Sequence, residues 1–225
     1  MNALIFGSSG SVARHIANKF RSICDNVFTT THDASKASGN VLFVTTDSQR
    51  SLEILPPIDI VVWCQGLNCN DSVISFNMDT HDTVMDVNTT FLPVTLNFLL
   101  TAKKLRSGSK LVVISSIWEH HAKVNKLSYC MSKSAIAGFV KSAAIDLSYH
   151  NILINGVLPG VIDNDMTRRM LSDLQISSIS RSTGFDRLIT LDDVYNAVKF
   201  LVVENTGITG QSITVDLGFT NTRSI

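Results

Sequence analysis

Tyr129 and Lys133 stand four positions apart in the stretch SYCMSKSAIAGF, residues 128–139. On a helix that spacing puts both side chains on one face. A free phenol titrates near ~10 and is a poor acid–base group at neutral pH. An ammonium fixed beside it favours the phenolate and lowers that value. The pair can then pass a proton to or from a substrate oxygen. The competing reading is a packed tyrosine beside a lysine that reaches solvent, and the spacing alone does not separate the two.

The surroundings of the pair do. Ser116 ends the apolar run KLVVISS. A serine at the carboxyl end of a parallel strand faces the crevice where ligands bind, and its hydroxyl can hydrogen-bond a carbonyl oxygen beside the phenol. Asn88, in DVNTT, lies inside an apolar helical segment, a poor place for asparagine. A water or backbone relay to the lysine would explain it.

Residues 3–13 read ALIFGSSGSVA. A strand runs into Gly7, Ser8, Ser9 and Gly10, and after Ser11 a helix begins near Val12. Gly7 permits a tight turn. Gly10 removes a Cβ where a pyrophosphate must come close, and the helix start offers free N–H groups. Ala13 replaces a third glycine. The second strand ends NVFTTTHD, with Asp33 past the turn and no acid placed to grip a ribose 2′-hydroxyl, which favours NADP(H) over NAD(H). Ser8, Ser9, Thr31, His32 and Lys36 could face a 2′-phosphate, though for any one of them a solvated loop residue is the better reading.

Short apolar, β-rich runs position these groups: Ala3–Phe6, Asn26–Thr30, Val41–Thr45, Ile58–Cys64, Lys110–Ser115, Leu153–Leu158 and Ser212–Val215. They lack strict alternation, as strands buried on both faces do. Helical periodicity fills Val12–Ser22, Thr80–Leu105, Ser128–His150 and Leu191–Glu204. The alternation predicts an α/β, doubly wound parallel sheet of Rossmann type in a single domain, residues 1–225. The stretch THDASKASGN between the second and third runs is too short for a crossover helix and predicts a loop or a single turn. Residues 164–190 have weak periodicity and are a candidate lid.

The chain of 225 residues is 44% apolar and balances 19 basic against 19 acidic residues. That argues against nucleic acid and anionic membrane surfaces as partners. No apolar run approaches the ~18 residues of a membrane span. Cys24, Cys64, Cys69 and Cys130 form no CxxC pair and read as reduced thiols. With no leader signal at MNALIFGSSG, a cytoplasmic location is expected.

Taken together, the chain resembles a classical-type short-chain dehydrogenase/reductase over essentially its whole length. Gly7–Ala13 corresponds to that family's cofactor loop. Asn88, Ser116, Tyr129 and Lys133 match its catalytic tetrad in order, and Pro159-Gly160 its Pro-Gly motif. FLVVENTGITGQSITVDLG, residues 200–218, resembles its usual ending. The resemblance implies a sheet of about seven strands that binds NAD(P)(H). Tyr129 would be the acid–base and Lys133 would lower its pKa and hold the nicotinamide ribose. Ser116 would orient the substrate and Asn88 would hold a relay water. Hydride would pass between nicotinamide and a carbonyl or secondary alcohol.

Three residues, Cys64, Gln65 and Gly66, stand where the family carries Asn-Ala-Gly beside the adenosine half of the cofactor. After Pro159 and Gly160, which would wrap the nicotinamide end, Ile162 and Asn164 complete the implied cofactor set; Asn164 can bond a carboxamide or cap a helix. Homodimers or homotetramers are implied. Trp118, Glu119, His120, His121 and Lys123 would line or rim the pocket. With Arg168, Arg169, Arg181 and Arg187 in residues 164–190 they suggest a polar or sugar-like small metabolite. His120 and His121 lack a third ligand, so no metal is expected. The alternative is a non-catalytic dinucleotide sensor on the same fold, which would have no need to keep all four tetrad residues.

Overall fold

The structure is a computed structural model that describes residues 1–221. The apolar runs form one parallel sheet of seven strands in the order β3-β2-β1-β4-β5-β6-β7. The strands are β1 (Asn2–Phe6), β2 (Asn26–Thr31), β3 (Val41–Phe43), β4 (Ile58–Trp63), β5 (Leu105–Ile114), β6 (Leu153–Pro159) and β7 (Ser212–Val215). Alternate side chains of each strand enter different cores. Leu4, Phe6, Val61 and Trp63 face one cluster, with Leu92, Leu96, Ile136 and Val140 over them. Ala3, Ile5, Ile60 and Val62 face the other, beneath Ile16, Phe20, Val194 and Val198. Burial on both faces is why the runs read as continuously apolar.

The helices over the first face are α3 (Phe91–Thr101) and α4 (Leu127–Ser148), with α2 (Met78–Met85) packed against α4; α1 (Ser11–Phe20) and α7 (Leu191–Lys199) cover the second. Strand order reverses between β1 and β4, so their carboxyl ends open a crevice. Phe6 and Trp63 pair there in register and stack with centroids 5.6 Å apart. The Trp63 indole donates to Thr95 Oγ1 at 2.9 Å, which satisfies a buried polar group at no loss to the core.

The structure differs from the sequence expectation in three places. The helix expected over Thr80–Leu105 is α2, a π turn at Asp86–Thr90 and α3. It stops early because Lys103 adopts a left-handed φ of 54° without the glycine that usually marks such an end. β5 therefore begins at Leu105. Residues 164–190 are mainly helical, with α5 (Asp165–Met170) and α6 (Asp173–Ser182), the latter opened by a Ser172/Gln175 capping box. The short crossover is, as expected, one turn, Ala34–Lys36.

Candidate active site

Gly7 is required twice. Its φ is +90°, and a Cβ there would lie 2.8 Å from the Gln65 backbone nitrogen. The turn is pinned to β2 by Ser8 N–H donating to Thr30 O at 2.8 Å. Gly10 is different: a Cβ would meet only Gly7 O, at 3.5 Å. Gly10 also caps α1 without any side-chain hydrogen bond, which leaves first-turn N–H groups for an anion. Val12 packs toward the core, so only its backbone faces this cradle. Asn164 Nδ2 donates to Ser11 Oγ at 3.2 Å while its Oδ1 caps α5 at Thr167. One residue thus ties the glycine turn to the loop after β6.

In that loop Gly160 is needed for packing, since its Cβ would lie 2.9 Å from Asp216 Cβ. Ile162 bridges to Ile189. Thr31 is buried, and its Oγ1 accepts from Asp33 N–H at 3.1 Å. Cys64 donates its N–H to Phe6 O, and burial pushes its thiol well above the usual range. Gln65 Oε1 is buried with no hydrogen-bond partner among the described residues. An uncapped helix start, a cradle floored by glycine and an orphaned acceptor fit a dinucleotide.

Lys36, one of the residues that could face a 2′-phosphate, pairs with Asp33 at 2.9 Å. Hydrogen bonds from Ser35 and this lysine hold the Asp33 carboxyl at about 2.

Two of the four tetrad residues, Asn88 and Lys133, meet beside Gly66. A Cβ on Gly66 would stand 3.6 Å from both Asn88 Oδ1 and Lys133 Nζ. Asn88 sits in the π turn, a wider coil that turns its side chain inward. Its Oδ1 accepts from Leu67 N–H at 2.7 Å, and its Nδ2 donates to Leu67 O at 2.9 Å and Ser132 Oγ at 2.8 Å. The amide therefore staples the loop after β4 to α4, which explains a polar residue in an apolar helix. Asn88→Ala should leave buried groups unpaired and lower stability by about 1–3 kcal/mol, read by urea denaturation.

Lys133 is 3% exposed. Its Nζ lies 5.6 Å from the Tyr129 ring centroid, over the ring and not on the hydroxyl. Burial pushes its pKa down to about 8, against the pull of Glu119 and Cys64. Burial also pushes the Tyr129 phenol above its usual value, with the Ser116 hydroxyl pulling the other way. The expected lowering of the phenol by the lysine is absent here: burial is the largest influence on both groups, and Lys133 is not among those acting on the phenol. The phenol keeps its proton at neutral pH.

A second polar network escaped sequence reading. Lys126 Nζ donates to Asn68 Oδ1, Cys69 O and Asn70 Oδ1 at 2.7, 2.9 and 2.6 Å. Ser128 hydrogen-bonds Asp71 and, at 2.8 Å, His81 Nδ1. Against the push of burial, Ser128 holds the Asp71 carboxyl below its usual range. This network fixes the first turn of α4 next to Tyr129. Its only sequence trace is the cluster of polar residues at 68–71 and 126–128.

The pocket rim also needs correction. Glu119 does not line it: its side chain is 0% exposed and Ser212 Oγ of β7 donates to Oε1 at 2.6 Å. Lys123 lies over the Trp118 ring at 5.6 Å. Arg168 pairs with Asp163 at 2.7 Å and Arg187 with Asp193 at 2.8 Å. The same segment exposes Met166, Met170, Leu174 and Phe185.

Residues 48–220 match the family model described as Enoyl-(Acyl carrier protein) reductase. The chain is 31% identical, across 96% of its length and 86% of the relative's, to 3-oxoacyl-[acyl-carrier-protein] reductase FabG of Aquifex aeolicus. The chain belongs to the short-chain dehydrogenase/reductase family. The FabG protein of Rickettsia bellii is 28% identical over 96% of this chain and 95% of that one. A gluconate 5-dehydrogenase from Burkholderia cenocepacia, solved with NADP and tartrate, shares the fold at a TM-score of 0.85 and 19% identity, covering 99% and 96% of the two chains. This short-chain dehydrogenase/reductase is an NAD(P)-dependent oxidoreductase. No helix among its described residues is long and apolar enough to cross a membrane.

Proposed function

We propose that the protein reduces the carbonyl of a 3-oxoacyl thioester with NADPH, and that Tyr129 gives the proton. The protonated phenol beside Ser116 carries this reading, because an acid that keeps its proton suits reduction. The bound dinucleotide supplies the hydride. Ser116 Oγ holds the carbonyl oxygen beside the phenol. Lys133, over the ring, holds the nicotinamide ribose, and Asn88 fixes the loop that closes the site. The glycine turn at Gly7–Val12 binds the pyrophosphate. Cys64, Gln65 and Gly66 lie along the adenosine half, and Pro159 to Asn164 along the nicotinamide half.

NADP(H) is preferred over NAD(H) because the acid after β2 is spent: Asp33 is engaged by Ser35 and Lys36. Residues 164–190 act as a lid. Their exposed Met166, Met170, Leu174 and Phe185 suit an acyl chain, and ion pairing of Arg168 and Arg187 weakens the case for an anionic or sugar-like substrate. FabG relatives act, by name, on 3-oxoacyl groups. The test is NADPH oxidation with acetoacetyl-CoA against aldoses and aldonates; turnover confined to the sugars would overturn the acyl reading. Exposed Met131 and Ile145 on α4, with Tyr149 just past its end, support a homodimer or homotetramer, which sedimentation at a monomer mass would exclude.

The lysine sets a pH limit. Its folded pKa is lowered from 10.5 to about 8, so the ammonium is lost as pH rises through about 8, where an unfolded chain would still hold it. NADPH affinity of the native protein should fall above that pH. Lys133→Arg, which stays charged, should flatten the fall; parallel profiles would show that another group controls binding.

A further inference from the structure

Tyr129 sits in the first turn of α4, and that turn cannot hold itself. The first N–H groups of a helix have no partner within the helix, and Lys126, at the cap of α4, offers them no side-chain acceptor. The acceptors come from the loop after β4. Asp71 O takes the Leu127 N–H at 3.3 Å. The Asp71 carboxylate takes the Ser128 N–H on its two oxygens, at 3.1 and 3.2 Å, and the Ser128 hydroxyl as well. An acid at this end of a helix also suits its dipole. Lys126 returns the contact. Its ammonium spends its donors on Asn68 Oδ1, Cys69 O and Asn70 Oδ1. Asp71 is 3% exposed and Lys126 9%. Each is a buried charge satisfied by directed hydrogen bonds to neutral groups, with no ion pair, so displacing either leaves a charge or its partners unmet.

We propose that Asp71 and Lys126 are positioning residues for the reaction: they clasp the loop after β4 to the first turn of α4 and so hold the Tyr129 phenol at Ser116. Tyr129 follows Ser128 directly, so loosening the capped turn moves the phenol. A misplacement of about 1 Å can cost about 10²-fold in rate. The cofactor side of the loop is held separately, since Asn88 grips the N–H and the carbonyl of Leu67. Loss of the clasp should therefore fall on turnover and spare dinucleotide affinity. The inference rests on the role given to Tyr129 above, and it adds two residues outside the tetrad.

The test reads the phenol itself. The tyrosines of the chain are Tyr129, Tyr149 and Tyr195. Fluorine NMR of ligand-free protein labelled with fluorotyrosine follows all of them, and the Tyr129 signal is the one lost in Tyr129→Phe. Asp71→Ala and Lys126→Met should each shift or broaden the Tyr129 line and leave the other two native. Turnover of acetoacetyl-CoA should fall about 10–100-fold in both, with NADPH affinity within about twofold of native. Asp71→Asn, which keeps a capping oxygen, should restore most of the turnover. If Asp71→Ala fails to fold, Lys126→Met and Asp71→Asn carry the test. A native Tyr129 line in Lys126→Met overturns the proposal, as do native turnover in that variant and equal losses of turnover and NADPH affinity. The spectra need no substrate, so they decide even if acetoacetyl-CoA is not reduced. Native turnover in Tyr129→Phe would remove the phenol from the chemistry without touching the Lys126→Met spectrum, so the two ideas fail separately.

Discussion

Tyr129→Phe retains the fold and dinucleotide binding and loses about 10²–10⁴-fold in turnover. The substitution removes one oxygen from a half-buried ring and leaves the ring under Lys133 Nζ. The first turn of α4 is held by Ser128, Asp71 and Lys126, none of which uses the phenol oxygen. Only proton donation and the hydrogen bond with Ser116 are lost. Steady-state kinetics beside an NADPH titration separates the two roles. Equal turnover would remove Tyr129 from the chemistry; lost binding with lost turnover would make it a structural residue.

Gly7→Val abolishes dinucleotide binding and destabilises the protein by several kcal/mol. A left-handed φ of +90° is hostile to a β-branched residue. The added Cβ would press on Gln65 backbone, 2.8 Å away, and backbone cannot swing aside as a flexible side chain can. β1 and β4 would be forced apart at their carboxyl ends, where the crevice opens. Gly10→Ala is the contrasting variant. Its Cβ meets only Gly7 O at 3.5 Å and its φ is −76°, so stability should hold while affinity for the dinucleotide drops. Thermal unfolding and binding on both variants check this. A stable Gly7→Val that binds normally would refute the geometry of the turn.

Much of this was legible in sequence, because the fold rests on local patterns. Continuous apolar runs marked strands buried on both faces, and the glycine turn marked the first crossover. Tyr129 and Lys133 share α4 while Asn88 and Ser116 come from other elements, and it was the family resemblance that grouped the four. The lysine's effect was not legible. Spacing shows that Tyr129 and Lys133 share a face, but desolvation depends on what packs around them, and that comes from β4, β5 and the π turn. Glu119 was misread for the same reason: a charged residue in a loop sequence reads as solvated, and only the approach of Ser212, distant in the chain, buries it. The π turn at Asn88 was foreshadowed by an ill-placed asparagine, though not its hydrogen bonds to Leu67 and Ser132. The capping box at Ser172 was readable and shows why residues 164–190 are helical despite weak periodicity.

NADPH and NADH themselves are the most direct probes. Fluorescence titration of the purified protein with each, side by side, should give saturable binding of both, with NADPH the tighter. Binding of neither would contradict a dinucleotide site at Gly7–Val12 and turn attention to Ala13, Cys64 and Gln65, where this chain departs from its family.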